Sequence, residues 1–163
     1  MQPLGNSSRD TPPDHAGVAF HPPILLVAFL LLGFVLRAIV PLSFAPEQPV
    51  ALIGPVLVTM SFAMFFWAIA TMRRSGGSIP TGEPTDVIVH SGPYRYSRNP
   101  IYVSMVALLI GAGVWGNTLW LIGLAVLAAY LLWWGVISRE EGYLERKFGS
   151  DYASYKSQVR RWL

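Results

Sequence analysis

The sequence contains no cysteine, and this absence excludes disulfide bonds, thiolate nucleophiles and thiolate metal ligands. Histidine is also scarce: His15 and His21 lie far along the chain from His90, so no histidine-based metal site is predicted. Charged residues make up only 13% of the chain, whereas hydrophobic residues make up 53%. The 163 residues are enough for one domain, but this composition excludes a water-soluble one.

The hydrophobic residues are concentrated in four blocks, which together contain a single charged residue, Arg37. A helix needs about 20 apolar residues to cross a hydrocarbon core about 30 Å thick. The first and second blocks reach this length, and the fourth does so with its flanking residues. The third block in the sequence is shorter and approaches this length only when residues on either side are included. The sequence therefore predicts an all-α membrane protein with four transmembrane helices, formed by Ile24 to Phe44, Val50 to Met72, Ile101 to Trp115 and Leu119 to Ile137.

The chain divides into a tail and two membrane regions. Residues 1–22 are rich in Pro, Ser, Asp and Gly without a periodic apolar pattern, so we expect a disordered N-terminal tail. The first apolar block is longer than the ~7–15 residue core of a signal peptide, and we expect it to be a retained helix. Residues 23–72 would then hold the first two transmembrane helices, and residues 73–163 the other two.

Lysine and arginine are distributed unevenly around these blocks. Ten of the twelve follow the second or the fourth block, whereas the connections over residues 45–49 and 116–118 contain none. Positively charged loops remain in the cytoplasm, so both termini and the polar clusters are expected on the cytoplasmic face, in a bacterial inner membrane. Attraction to anionic lipid explains the net charge of +3, and no nucleic-acid partner is needed.

The second half of the chain predicts two further features. The connection from Gly111 to Asn117 is so short that the third and fourth helices must form an antiparallel hairpin. The fourth helix is expected to continue into water over Glu140 to Phe148 and to end at the glycine that follows. Tyr152, Tyr155 and Val159 recur at helical spacing, which predicts a final cytosolic amphipathic helix.

Two polar clusters adjoin the third and fourth blocks, and ionisable residues at such junctions often mark a site. The segment from Gly92 to Tyr102 is basic and aromatic, and Pro100 suits the first turn of a helix, whose free amides attract anions. Its tyrosines could stack on an adenine or shelter a cation, although Arg and Tyr are also ordinary interfacial anchors. The side chains of Glu140 and Glu141 point about 100° apart on a helix, so only one is expected to face the bundle. The alternative is a helix that has become polar on leaving the membrane.

Two other polar residues have simpler explanations. Arg37 lies about one helical turn from the outer end of the first block, where its side chain can extend to the interface. The alternative for Arg37 is a contact with a substrate headgroup. His90 is expected to be an ordinary loop residue.

The order of these motifs resembles a known family. Residues 87–102, "VIVHSGPYRYSRNPIY", are similar to the cofactor motif of the integral-membrane isoprenylcysteine carboxyl methyltransferases and related phospholipid methyltransferases. Residues 140–159, "EEGYLERKFGSDYASYKSQV", are similar to the tail of the same family. The resemblance covers about residues 72–163 and includes the hairpin between the two motifs.

The resemblance implies an S-adenosylmethionine-dependent methyltransferase with a cofactor pocket that faces the cytosol. The acceptor would be lipidic or a small hydrophobic molecule, either an isoprenylcysteine-like carboxylate or a phospholipid amine. No catalytic base and no metal ligand is implied. The cofactor-binding positions that the resemblance implies are Asp86, Val87, Ile88, Val89, Tyr94, Arg98, Asn99, Pro100, Ile101, Tyr102 and Glu140.

Two positions depart from the family pattern. Asn99 stands where many members have histidine; it can form hydrogen bonds but cannot titrate, so a histidine base is excluded there. Val136 replaces an arginine that some eukaryotic members place one helical turn before the glutamate, which argues against isoprenylcysteine as the acceptor.

Two other functions remain as alternatives. Sterol-reductase-like membrane enzymes resemble this family in their C-terminal helices and use a nicotinamide cofactor, but they are larger and have more spans. A non-catalytic membrane protein or a small transporter is the other alternative. The first two blocks lack polar residues for a solute pathway apart from Arg37, which argues against transport.

Overall fold

The computed structural model describes residues 16–45, 47–77 and 85–163, with only the backbone for residues 47–50. These residues form helices and irregular segments, and no strand occurs among them. A 3₁₀ turn over Gly92–Arg95 precedes the third helix, and one π-helical turn over Trp133–Ile137 joins the fourth to the fifth. The α-helices are α1 (Pro22–Ile39), α2 (Glu47–Arg74), α3 (Pro100–Trp115), α4 (Leu119–Leu132), α5 (Ser138–Phe148) and α6 (Ser150–Gln158).

The prediction of an all-α membrane protein is confirmed. By length and composition, three helices in the described part of the chain can cross a membrane: α1, α2 from Ala51, and the continuous 30-residue helix Leu119–Phe148 that includes α4 and α5. The fourth apolar helix, α3, is shorter, with 16 residues.

Helices α2 and α3 are antiparallel and pack closely because glycines line their contact. A Cβ atom on Gly54 would overlap the backbone of Trp115, so the start of α2 lies directly against the end of α3. Further along, a Cβ atom on Gly111 would lie 3.0 Å from the backbone nitrogen of Val58. The close approach brings the C-terminal end of α2 beside the N-terminal end of α3.

The hairpin of α3 and α4 encloses an apolar core. Leu109 from α3 and Leu121 from α4 are fully buried in it, and Leu25 and Phe29 of α1 cover its open side. A second core lies nearer the start of α3, where the buried side chains are Tyr102, Met105, Leu132, Val136 and Ile137. Residues from both ends of the described chain, Phe20 and Trp162, complete this second core.

The segment before α1 lies across the π-helical turn. The Ala19 N–H donates to the carbonyl oxygen of Gly135 at 2.9 Å, and the Phe20 ring occupies the space where Gly135 has no side chain. Arg139 donates to the carbonyl oxygen of Gly17 at 2.8 Å. The expected disordered tail covered residues 1–22; its residues 1–15 lie outside the described residues.

The polar C-terminal region follows the predicted pattern as far as Gln158, but Val159, which was expected on the last helix, is extended and lies just after it. Helix α5 ends at Gly149, whose φ of 54° is a left-handed conformation that favours glycine. Tyr152 and Tyr155 of α6 are buried on one face of that helix. Residues 85–90 are irregular.

Candidate functional site

A cavity lies where α2 ends, α3 begins and α5 and α6 pack over both. The volume of the cavity that the centre of a water molecule can occupy is about 150 Å³. Ten of the eleven positions that the family resemblance implies line this cavity: Val87, Ile88, Val89, Tyr94, Arg98, Asn99, Pro100, Ile101, Tyr102 and Glu140. Two segments that are separated by about forty residues in the sequence therefore line one cavity.

Asp86 is the one implied position that does not line the cavity. Its side chain is 90% exposed and forms an ion pair with Lys147 at 3.2 Å. A carboxylate is costly to bury without a partner, and here the surface provides both water and a cation. The apolar side chains of the next residues, Val87, Ile88 and Val89, form this wall of the cavity instead.

Tyr102 and Glu140 join the two polar clusters directly. Tyr102 lies in the first turn of α3, and its hydroxyl group donates to Oε1 of Glu140 on α5 at 2.8 Å. This bond therefore fixes the position of the Glu140 carboxylate at the cavity wall.

Both adjacent glutamates line the cavity, so the expectation that only one faces the bundle is wrong. Glu140 meets Tyr102, whereas Glu141 is buried between Arg98 and Arg161. The helical offset of about 100° still applies. The side of α5 that carries Glu141 is also enclosed, because α6 and the residues after it cover that face.

Arg161 binds Glu141 through both carboxylate oxygens. Its Nε donates to Glu141 Oε1 at 3.0 Å, and its Nη2 donates to Oε2 at 2.7 Å, so the pair is bidentate. Glu141 raises the pKa of Arg161 above its usual value through this hydrogen bond. Arg161 lies after the second motif and is not among the positions that the resemblance implies. A buried glutamate almost always requires a cation, and that requirement is the signal that could have pointed to it.

The residues after α6 are bound to the start of α3 through their backbone. The carbonyl oxygen of Arg160 accepts the Arg98 N–H at 2.9 Å, and the carbonyl oxygen of Arg161 accepts Asn99 Nδ2 at 3.0 Å. The Ser97 hydroxyl group donates to the same Arg161 oxygen at 3.3 Å. Asn99 thus holds the C-terminal segment against the cavity.

Buried tyrosines form the remaining polar wall. The Tyr155 hydroxyl group donates to the carbonyl oxygen of Tyr94 at 2.7 Å. Burial raises the pKa of both tyrosines well above the usual value, and it raises the pKa of Tyr152 to about 12. All three hydroxyl groups are therefore neutral at physiological pH. His90 is exposed in the loop, with its ring edge-on to Tyr155 at 4.6 Å between centroids.

Arg37 lies far from this site. Its side chain is exposed near the C-terminus of α1, whereas the N-terminal part of α1 packs against the apolar core that contains Tyr102. The described residues contain no group of three or more His, Asp or Glu side chains that could hold a metal ion.

Comparisons with known proteins agree with the motif analysis. A family model for phospholipid methyltransferase matches residues 50–151. An uncharacterised protein of Haemophilus influenzae is 41% identical over 64 residues, which are 39% of this chain and all of that protein. The cobalt-zinc-cadmium resistance protein CzcN of Cupriavidus metallidurans is 29% identical over 104 residues, which are 63% of this chain and 47% of CzcN.

A solved structure shares the fold. It is the eukaryotic intramembrane Ras methyltransferase ICMT (isoprenylcysteine carboxyl methyltransferase), with a TM-score of 0.61 and 23% sequence identity over 84% of this chain and 50% of that one. The chain thus spans about half the length of both CzcN and ICMT.

Proposed function

Because the chain belongs to the phospholipid methyltransferase family, we propose that it transfers a methyl group from S-adenosylmethionine to a lipidic or small hydrophobic acceptor. The observation that carries this proposal is the shared cavity of the two motif segments, closed by the hydrogen bond from Tyr102 to Glu140. In this proposal α3 is a fourth, short membrane crossing. The cavity and both termini face the cytoplasm, where the water-soluble methyl donor is found.

The chemistry of the cavity wall suits this cofactor. S-adenosylmethionine carries an adenine, two ribose hydroxyl groups, an ammonium group and a carboxylate. Glu140 supplies a carboxylate for the hydroxyl or ammonium groups, and Arg98 supplies a guanidinium for the carboxylate. Tyr94 and the apolar side chains of residues 87–89 supply a surface for the adenine. In this proposal the other contacts come from the first turn of α3, at Asn99, Pro100, Ile101 and Tyr102.

The cofactor would be held by the residues of the cavity wall and would supply, from a positively charged sulfur that keeps the bonding electron pair, an electrophilic methyl group for a lone pair of the acceptor. The protein's contribution to such a displacement is alignment and the exclusion of water. Tyr102 holds Glu140 in place for that purpose. Asn99 cannot act as a base, so a carboxylate acceptor, which needs none, would react directly, whereas an amine would have to lose its proton first.

Apolar side chains in the cavity wall, among them Met72, Ile101 and Leu144, support a hydrophobic acceptor. Val136 and Met105 are buried in the neighbouring core and do not line the cavity. Val136 has no charge that could pair with the carboxylate of an acceptor, which argues against isoprenylcysteine as the acceptor.

Thermal stabilisation of the detergent-solubilised protein tests the proposal. A ligand at 100 times its dissociation constant stabilises the native state by about 2.7 kcal/mol, which raises the melting temperature by about 5–10 °C. We expect S-adenosylhomocysteine to give such a shift and NADPH to give none. A shift with NADPH alone would favour a reductase, and no shift with either would contradict the proposal.

Site variants make the test specific. We expect Glu140→Ala and Asn99→Ala to reduce the shift caused by S-adenosylhomocysteine. Glu145→Ala is the matched control, because Glu145 lies on the same helix but is exposed and paired with Lys156. Equal shifts in all three variants would refute the site assignment. Incubation of lipid extracts with methyl-labelled donor would then identify the acceptor.

A further inference from the structure

Two arginines share one carboxylate beside the cavity. One carboxylate, that of Glu141, lies between the guanidinium groups of Arg98 and Arg161. The side chains of Arg98 and Glu141 are only 8% and 7% exposed. Arg161 is 35% exposed and is partly solvated, whereas a buried charge is costly without a full set of partners, so Arg98 is the cation that requires a further acceptor.

The two arginines compete for the same oxygen atom of Glu141. Arg161 Nε donates to Oε1 at 3.0 Å, and Arg98 Nη1 lies 3.1 Å from that oxygen without forming a hydrogen bond to it. Neither Nε nor Nη1 of Arg98 has a hydrogen-bond acceptor in the part of the chain that the structure describes. Buried donors of a charged group are expensive to leave unsatisfied. Because Arg98 lines the cavity, a bound ligand is the source of acceptor that fits.

We propose that Arg161 is a positioning residue that keeps Arg98 free to bind the carboxylate of the methyl donor; this inference rests on the proposed function. By occupying both oxygens of Glu141, Arg161 satisfies that carboxylate and leaves the planar donors of Arg98 for a second one. Without Arg161, Glu141 would take Arg98 as its own bidentate partner, and the site would lose its affinity for an anion.

The test compares two ligands that share the adenosine part. S-adenosylhomocysteine carries the carboxylate, whereas 5′-methylthioadenosine lacks the whole amino-acid group. Calorimetry on the full chain in detergent would give both dissociation constants. We expect Arg161→Gln to lower the preference for S-adenosylhomocysteine about ten-fold and to leave the affinity for 5′-methylthioadenosine unchanged. Arg160→Gln removes the same charge from the neighbouring, exposed position, and we expect it to keep the wild-type preference.

A double variant separates positioning from general damage to the fold. In Arg161→Gln combined with Glu141→Gln, the competing carboxylate is absent, so Arg98 is free again and the preference for S-adenosylhomocysteine should return. If Arg161→Gln weakens both ligands equally, or if the double variant fails to restore the preference, Arg161 is only structural and the inference is overturned. If the wild-type chain binds neither ligand, the proposed function fails first, and this inference fails with it.

Discussion

Gly54 provides a sharp test of how α2 and α3 are packed. A Cβ atom at this position would overlap the Cα and N atoms of Trp115, which belong to the backbone and cannot rotate away. The alanine variant would therefore force the two helices apart. Gly123 on α4 is a matched control, because a Cβ atom there would have no neighbour within 4 Å.

The size of the effect follows from comparing Gly54→Ala with Gly123→Ala. Alanine is favoured over glycine inside a helix by about 1 kcal/mol, and both variants gain this term. Overpacking costs about 1–3 kcal/mol, and only Gly54→Ala pays it. The difference in the free energy of unfolding between the two variants is therefore about 1–3 kcal/mol. For a chain of this size that corresponds to a difference of about 2–12 °C in melting temperature.

Melting curves of the purified variants in the same detergent measure this difference. We expect Gly123→Ala to melt at or above the wild-type temperature and Gly54→Ala to melt below it. The close packing of α2 on α3 would be refuted if Gly54→Ala melted at the same temperature as Gly123→Ala or higher.

Three further predictions concern the cavity and its rim. Tyr102→Phe removes a hydrogen bond to the carboxylate of Glu140, worth about 1.5–3 kcal/mol, and should weaken binding of S-adenosylhomocysteine about ten-fold or more in calorimetry; an unchanged affinity would contradict the role of this bond. Burial raises the pKa of Tyr152 and Tyr155 above the unfolded value of about 10, so their contribution to stability is complete below that pH and is lost as the pH rises towards the folded pKa. The melting temperature should accordingly decrease as the pH is raised from about 9 to about 12, and a melting temperature that stays constant over this range would contradict the prediction. Asp86→Asn removes only an exposed ion pair, so it should change the free energy of unfolding by less than about 1 kcal/mol and leave the affinity for S-adenosylhomocysteine unaltered. A clear loss of affinity would show that Asp86 contributes to cofactor binding.

The membrane helices and most of the cavity wall could be predicted from local signals. Long apolar blocks predict helices because the bilayer demands backbone hydrogen bonds within each helix. Most positions implied by the motifs line one cavity because each motif begins or ends an apolar helix at the same surface. The order of the motifs thus carried most of the information about the site.

The contacts made by the chain ends could not be predicted in this way. Arg161 reaches Glu141 across 20 residues, and its carbonyl oxygen accepts a bond from Asn99, 62 residues away. Backbone acceptors leave no mark in a sequence, since every residue has one. The burial of Glu141 depends on the same contacts. The helical offset alone therefore predicted wrongly that only one of the two glutamates faces the bundle.

The π-helical turn over Trp133–Ile137 determines which way the side chains of Glu140 and Glu141 point. Such a turn inserts one residue into an otherwise regular helix, and each residue rotates the following part by about 100°. The side chains after this turn therefore point about 100° away from the directions they would have in an uninterrupted α-helix. Loss of one residue there would leave the same membrane span and the same composition, with both carboxylates turned away from their partners.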